Sequence, residues 1–243
     1  MDIAREIGSN GPKYYYFGFG DRSRQDLLTT LRQKIAPLRF NLAAQNIIEA
    51  TGMTKDSNIL EIGCGVGLLG QAIKEKLGLT TDYYGIDLNF DPGLKLSKEK
   101  GLTPVRADAV KLPFLNESFD SIVSTDVFEH IPNAETLVAE TKRVLRPGGK
   151  AFIVISDPSE GRFHVTPDHI DRTGKGTDID YWTELFSKAG FIISTQSERY
   201  RKQDWRRVFN LPLLRKIKDK PVLSCAFDLV RRPGVFILSK PKQ

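Results

Sequence analysis

The stretch that decides the fold is NILEIGCGVGLLGQAI, residues 58–73. Its first five residues are mostly apolar and predict a buried strand over 58–62. Glycines then alternate with other residues at the point where the backbone must turn tightly. Apolar residues recur at helical spacing beyond this turn, which predicts a helix over 66–77. The stretch therefore predicts a strand, a tight turn and a helix in immediate succession.

Short apolar runs alternate with helical stretches along the rest of the chain. Further strands are predicted over 82–87, 102–107, 119–124, 150–155, 191–198 and 234–240, and further helices over 22–35, 38–51, 91–100, 133–145 and 178–189. This alternation is typical of βαβ units and a parallel sheet. No linker indicates a second domain. We therefore expect a single Rossmann-like, doubly wound α/β domain, with helices on both faces and an N-terminal helical extension.

Composition favours one soluble globular domain. Hydrophobic residues make up 40% and charged residues 27% of the 243 positions, which is ordinary for such a domain. Cys64 and Cys225 are too few for a disulfide framework, and the first residues lack the apolar run of a signal peptide. The clearest apolar run, 151–155, is far shorter than the ~20 residues that span a bilayer. A cytoplasmic location is expected.

Positive charge is concentrated in one segment. The chain carries a formal net charge of +6, whereas residues 199–220 alone hold nine Lys or Arg and two Asp, a local +7. The remainder is nearly neutral, which argues against a general nucleic-acid binder. Apolar residues interleave with the cations, so the segment could dock on an anionic membrane surface, bind an acidic substrate, or form a solvated lid.

The glycine pattern also fits dinucleotide binders. Residues 65–70 match G-x-G-x-x-G, and Asp87 follows Gly67 by twenty positions, as in proteins that bind NAD. Two features argue against this interpretation. Leu68 occupies the third glycine position when the pattern is started from the end of the strand. Glu61 would repel a pyrophosphate but would suit a ligand that carries an ammonium and a sulfonium.

The segment 61–67, EIGCGVG, resembles the E-x-G-x-G-x-G signature of class I S-adenosylmethionine-dependent methyltransferases. RADAVKLPF (106–114), FDSIVSTDVFEHI (119–131) and RVLRPGGKAFIVI (143–155) resemble later segments of the type 11 family, which is similar to ubiquinone and menaquinone biosynthesis enzymes. The resemblance implies a seven-stranded, mostly parallel sheet with an antiparallel last strand. It divides the chain into an N-terminal flap with helices (1–52), a core (58–198), a basic insertion or lid (199–232) and the last strand (234–240).

The same resemblance implies the cofactor and its ligands. S-adenosylmethionine would be converted to S-adenosylhomocysteine. Asp87 would bind the ribose hydroxyls, Leu88 would lie against the adenine, and Asp108 would accept from the adenine amino group. The full predicted set for the cofactor is Glu61, Gly63, Cys64, Gly65, Gly67, Asp87, Leu88, Asp108, Ala109 and Thr125.

The acceptor side depends on fewer residues. An oxygen nucleophile needs its proton removed, and His130, just after the fourth strand, is a candidate base. Asp126, Glu129 and His130 form D-x-x-E-H, which resembles the E-x-x-E-H of quinone O-methyltransferases and suggests Mg²⁺ or Mn²⁺ as an alternative; without it, no metal is expected. His169 and His164 lie in the loop after the fifth strand, on the side where ligands bind.

The expected function is methyl transfer to a small-molecule acceptor, such as a lipid, a quinone precursor or a glycan, at oxygen. Enzymes that methylate base amino groups usually carry an N/D-P-P-Y/F motif after the fourth strand, where this chain has Ser124-Thr125-Asp126-Val127, and no Pro-Cys nucleophile is apparent. Base methylation is therefore not expected, whereas RNA ribose methylation stays open. A non-catalytic protein that binds S-adenosylmethionine is the remaining alternative.

Overall fold

The computed structural model describes residues 40–88, 93–155, 179–194 and 234–242. The predicted helix over 22–35, both histidines of the loop after the fifth strand, His164 and His169, and the basic insertion all lie outside these ranges.

The predicted fold is confirmed. The elements in chain order are α1 (40–51), β1 (Ile59–Ile62), α2 (Leu68–Leu77), β2 (Tyr83–Asp87), α3 (Gly93–Glu99), β3 (Thr103–Arg106), β4 (Phe119–Thr125), a 3-10 helix (Phe128–His130), α4 (Ala134–Val144), β5 (Leu145–Ile155), α5 (Ile179–Lys188), β6 (Ile192–Ile193) and β7 (Gly234–Ser239). The seven strands form one sheet in the order β3-β2-β1-β4-β5-β7-β6. Pairs among the first five strands are parallel, and β7 is antiparallel to both of its neighbours.

Two strands differ from the expected bounds. β5 begins at Leu145, whereas the predicted strand begins at residue 150, because the chain bulges there without leaving the sheet. The partner of Phe119 is Leu145, while the partner of Ser121 is Lys150. Gly148 makes this bulge possible with a φ of +77°, a conformation that favours glycine. The described part of β6 covers only Ile192–Ile193.

The sheet separates two apolar layers, and alternate strand residues enter each of them. One layer packs under α4 and α5, and the other under α1 and α2. In β5, for example, Ile153 enters the first layer and Val154 the second. Helices therefore cover both faces, and the chemistry is confined to the ends of the strands. No helix in the described ranges is both long and apolar enough to cross a bilayer.

Candidate functional site

The carboxyl ends of β1 and β4 lie side by side where the strand order reverses direction. The chain runs from β1 through β2 to β3 on one side, and β4 returns to the other side of β1. In open α/β sheets, ligands bind at such a switch point. The amides of Gly63 and Cys64 donate to the carbonyl of Ile86 at 2.8 and 2.9 Å. These bonds hold the glycine loop, residues 63–67, on the end of β2.

Two glycines of this loop make room for other parts of the protein. A Cβ added at Gly63 would lie 2.2 Å from Cγ2 of Val127, and one added at Gly67 would lie 2.7 Å from Cβ of Ser97. Both distances are far below van der Waals contact. Protein side chains therefore occupy the space that these two glycines leave.

Gly65 faces open space instead. Its φ is +49°, and a Cβ added there would meet no atom of the described residues within 4 Å. Its amide donates to Oδ2 of Asp87 at 3.0 Å, so the carboxylate at the end of β2 is joined to the turn. At this point of the loop a ligand can approach the backbone closely, with an acidic side chain beside it.

Glu61 lies beneath the loop, with its side chain in the layer between β1 and α2. The residue is 3% exposed. Its Oε2 accepts from the hydroxyl of Tyr83 at 3.0 Å, and its carboxylate also accepts from the backbone amide of Gly70. Burial raises the pKa of Glu61 from 4.5 to about 8, with a further contribution from the negative charge of Asp87. The carboxyl is therefore mostly protonated at neutral pH, and its role toward a cofactor stays a prediction.

This shift makes folding stability depend on pH. Between pH 4.5 and 8 the folded protein holds a proton on Glu61 that the unfolded chain has released. The stability linked to this proton is fully present below pH 4.5 and is lost as the pH rises through 8, with a slope of up to about 1.4 kcal/mol per pH unit. We expect Glu61→Gln, which mimics the protonated acid, to flatten this slope in urea unfolding measured from pH 5 to 8. A slope equal to that of the unchanged protein would contradict the assignment.

The thiol of Cys64 has a packing role. Cys64 is 5% exposed, and its Sγ would lie 2.7 Å from a Cβ added at Gly85 on β2. Burial raises the pKa of the thiol, and the carboxylates of Glu61 and Asp87 raise it further. A thiol in these surroundings stays protonated and is a poor nucleophile.

The predicted adenine residues follow β2 and β3. Leu88 is 39% exposed, and Ala109 is 7% exposed. The carbonyl of Leu88 accepts from Nε of Arg106 at 3.3 Å. Oδ1 of Asp108 accepts from the amide of Val110 at 3.0 Å, so this acid also fixes its own turn. The two neighbouring strands bring an exposed apolar surface and an exposed acid to the same edge, and their roles toward adenine stay predictions.

The segment after β4 carries the acceptor-side candidates. Thr125 ends β4, and Asp126 then takes a φ of +57°, a left-handed conformation that is uncommon outside glycine. Glu129 is 1% exposed, whereas His130 is partly exposed. Strained backbone of this kind clusters at functional sites. His130 thus lies at the correct edge of the sheet for the predicted role, and that role stays a prediction.

The alternative metal site stays a prediction that the described residues do not support. Within the described ranges, no three His, Cys, Asp or Glu side chains form a group that could hold a metal ion. Glu129 is 1% exposed, while Asp126 and His130 are partly exposed.

Two residues of the site were not anticipated. Tyr83 bonds Glu61 because Gly85 pairs with Glu61 across β1 and β2, and Tyr83 lies on the same face of β2. The alternation of β2 could have identified it once the register was known. Val127 fills the space beside Gly63, and no local pattern signals that contact.

The chain is similar to one known family, to curated sequences and to solved structures. Residues 60–153 match a family described as "Methyltransferase domain". The chain is 28% identical over 166 residues to "Probable tocopherol O-methyltransferase, chloroplastic" of Oryza sativa subsp. japonica, covering 62% of this chain and 45% of the relative. It is 37% identical over 116 residues to a phthiotriol/phenolphthiotriol dimycocerosates methyltransferase of Mycobacterium tuberculosis, covering 45% of this chain and 42% of the relative.

The chain thus matches less than half the length of these curated relatives. Among solved structures, it resembles phosphoethanolamine N-methyltransferase 2 of Haemonchus contortus in complex with S-adenosyl-L-methionine. The TM-score is 0.55 at 20% identity, and the match covers 83% of this chain and 53% of that one. At this identity the structural likeness supports the fold alone.

Proposed function

We propose that this chain is an enzyme that uses S-adenosylmethionine to methylate an oxygen atom of a small molecule, because residues 60–153 match a family of methyltransferase domains. The single observation that carries the proposal is the junction of Gly65 and Asp87. There no atom of the described residues lies within 4 Å of a Cβ added at Gly65, and the amide of Gly65 donates to the acid that ends β2. This combination suits a ligand that lies flat against the turn and offers hydroxyl groups to a carboxylate.

The residues around the junction fit the cofactor. Asp87 would accept from the ribose hydroxyls while it keeps the amide of Gly65, because a carboxylate has about four acceptor sites. Leu88, which is 39% exposed, would lie against the adenine. Asp108 and Ala109 follow the neighbouring strand and would border the same ring. When bound, S-adenosylmethionine supplies a methyl group that is already activated on a sulfonium.

At the acceptor end, the chain must position a nucleophile and remove its proton. His130 would accept the proton that the acceptor oxygen loses. It follows β4 at the same edge of the sheet and is partly exposed. An imidazole titrates near neutral pH and is the commonest general base in enzymes. His169 is a second candidate on the acceptor side. Burial of the acceptor would exclude water and align the oxygen with the methyl group.

A small-molecule acceptor is supported by two arguments. The curated relatives are named for tocopherol and for phthiotriol and phenolphthiotriol dimycocerosates, which are not nucleic acids. The segment Ser124–Val127 also lacks the motif of enzymes that methylate nucleobases. We therefore favour a lipid, a quinone precursor or a glycan over an RNA ribose.

The cofactor assignment is tested by calorimetric titration of the protein with S-adenosylmethionine, S-adenosylhomocysteine and NAD. We expect both sulfur compounds to bind at micromolar concentrations and NAD to bind at least about 100-fold more weakly, since its pyrophosphate would lie near the carboxylate of Asp87. Binding of NAD alone would overturn the proposal.

The acceptor is tested by incubating labelled S-adenosylmethionine with fractionated lipids, quinone precursors, glycans and RNA. Label in a small-molecule fraction supports the proposal, and alkali-resistant label on ribose in RNA contradicts the acceptor class. Cofactor binding with no transfer to any fraction would identify a non-catalytic binding protein. Asp87→Ala, which should abolish label transfer, is the control for background incorporation.

A further inference from the structure

The side chain of Val127 occupies the space that Gly63 leaves. Gly63 follows β1 directly and has a φ of +77°. A Cβ added there would lie 2.2 Å from Cγ2 of Val127 and 3.2 Å from its Cβ and Cγ1. Val127 is partly buried and also packs against the apolar layer under α4 and α5. The first glycine of the loop is therefore needed by a side chain that comes from the end of β4.

The backbone of Val127 leads directly to the candidate base. Val127 precedes the 3-10 helix Phe128–His130, and its carbonyl accepts from the amide of His130 at 3.0 Å. On the other side, Asp126 takes its left-handed turn, and its amide donates to the carbonyl of Val154 on β5 at 3.0 Å. Val127 is thus held at its side chain by the glycine loop and at its backbone by the turn that carries His130.

We propose that Val127 is a positioning residue that couples the cofactor loop to His130 through its contact with Gly63. The inference rests on the proposed function, in which the loop holds the donor and His130 faces the acceptor. A shift of the loop at Gly63 must displace Val127, since packed side chains cannot overlap. Val127 then carries the displacement through its carbonyl to the histidine, so donor and base keep a fixed separation.

A simpler role for Gly63 makes a different prediction. If the glycine only allows the ligand to approach the backbone, a methyl group there would obstruct the ligand and leave His130 unchanged. If Val127 couples the two parts, the same methyl group would disturb His130 even without ligand. The two roles are therefore separated by a signal from His130 in the ligand-free protein.

The test uses Gly63→Ala, Val127→Ala and the double variant. The readouts are the imidazole NMR signals of His130, assigned by their loss in His130→Gln, and the affinity for S-adenosylhomocysteine from calorimetry. Gly52→Ala is the matched control, because Gly52 has a similar φ of +70° with no atom within 4 Å of an added Cβ. Gly52→Ala shows what alanine does to the measured signals and affinity in this backbone conformation when no side chain overlaps with it.

We expect Gly63→Ala to shift the His130 signals and to weaken S-adenosylhomocysteine binding at least tenfold. The double variant should recover most of both, because the 2.2 Å overlap is removed and only the 3.2 Å contact with Cβ remains. Gly52→Ala should change neither. Loss of affinity with unshifted His130 signals, and no recovery in the double variant, would overturn the coupling.

Two further outcomes stay decisive. If Gly63→Ala does not fold, Val127→Ala alone should shift the His130 signals with an unchanged circular dichroism spectrum, and unshifted signals would overturn the proposal. If the unchanged protein binds no S-adenosylhomocysteine, the proposed function fails, while the His130 signals of the ligand-free variants still decide the coupling.

Discussion

Replacing Asp87 with alanine is expected to weaken the binding of S-adenosylmethionine by at least about 100-fold. The carboxylate accepts from the amide of Gly65 at 3.0 Å. In the proposed function it also accepts from the ribose hydroxyls of the cofactor. Hydrogen bonds to a charged group contribute roughly 1.5–3 kcal/mol each, and tenfold in affinity corresponds to about 1.4 kcal/mol. Loss of two such bonds therefore gives a factor of about 100 or more, which calorimetric titration measures directly.

Asp82 offers a matched control on the same strand segment. It lies just before β2, at the opposite edge of the sheet, where its carboxylate accepts from the hydroxyl of Thr103 at 3.2 Å. Asp82→Ala should leave the affinity within about twofold. Asp87→Asn, which keeps one acceptor for Gly65 but loses the charge, should fall between the two alanine variants. Equal affinities for the Asp82 and Asp87 variants would remove Asp87 from the cofactor site.

Replacing Trp182 with alanine is expected to lower the free energy of unfolding by roughly 3–5 kcal/mol, the usual range for a large buried aromatic residue. Trp182 is 1% exposed on α5. Its ring lies 5.7 Å from that of Phe128 and 5.6 Å from that of Phe186, measured between ring centroids. Phe128 belongs to the 3-10 helix that carries His130, so the cavity would open beneath the acceptor-side turn. Urea unfolding at fixed pH measures the loss.

Two further variants test whether the lost stability comes from the buried aromatic packing of Trp182. Trp182→Phe keeps most of the aromatic contact and should cost less than half as much. Tyr181→Ala, at the adjacent and only partly buried position of the same helix, should cost less than Trp182→Ala. A destabilisation at Trp182 no larger than at Tyr181 would contradict the packing described for α5.

Much of the fold could be predicted because its signals are local. The strand, turn and helix of 58–77 follow from an apolar run, alternating glycines and helical spacing, and the structure places β1 and α2 within those bounds. The alternation of later strands and helices restricts the connections to parallel βαβ units. The predicted start of β5 at residue 150 was wrong, because pairing with β4 already begins at Leu145 and continues around a bulge.

The candidate site was predictable to the extent that it depends on chain order. Strand ends place Asp87, Asp108 and His130 at one edge, because parallel strands share their direction. The D-x-x-E-H spacing, whose role toward a metal stays a prediction, shows the limit of this reasoning. Spacing along the chain does not say which way a side chain turns, and the interior position of Glu129 depends on packing against residues distant in the sequence.

The glycine loop shows most clearly which features follow from the local sequence and which depend on the tertiary structure. Its local pattern alone predicted a tight turn after β1 and a ligand close to it. The different roles of its glycines depended on residues far along the chain. Val127 fills the space at Gly63, Ser97 fills it at Gly67, and no described residue fills it at Gly65. A turn is encoded by the backbone preferences of its own residues, but the occupant of a vacant Cβ position is chosen by whichever side chain the fold brings there.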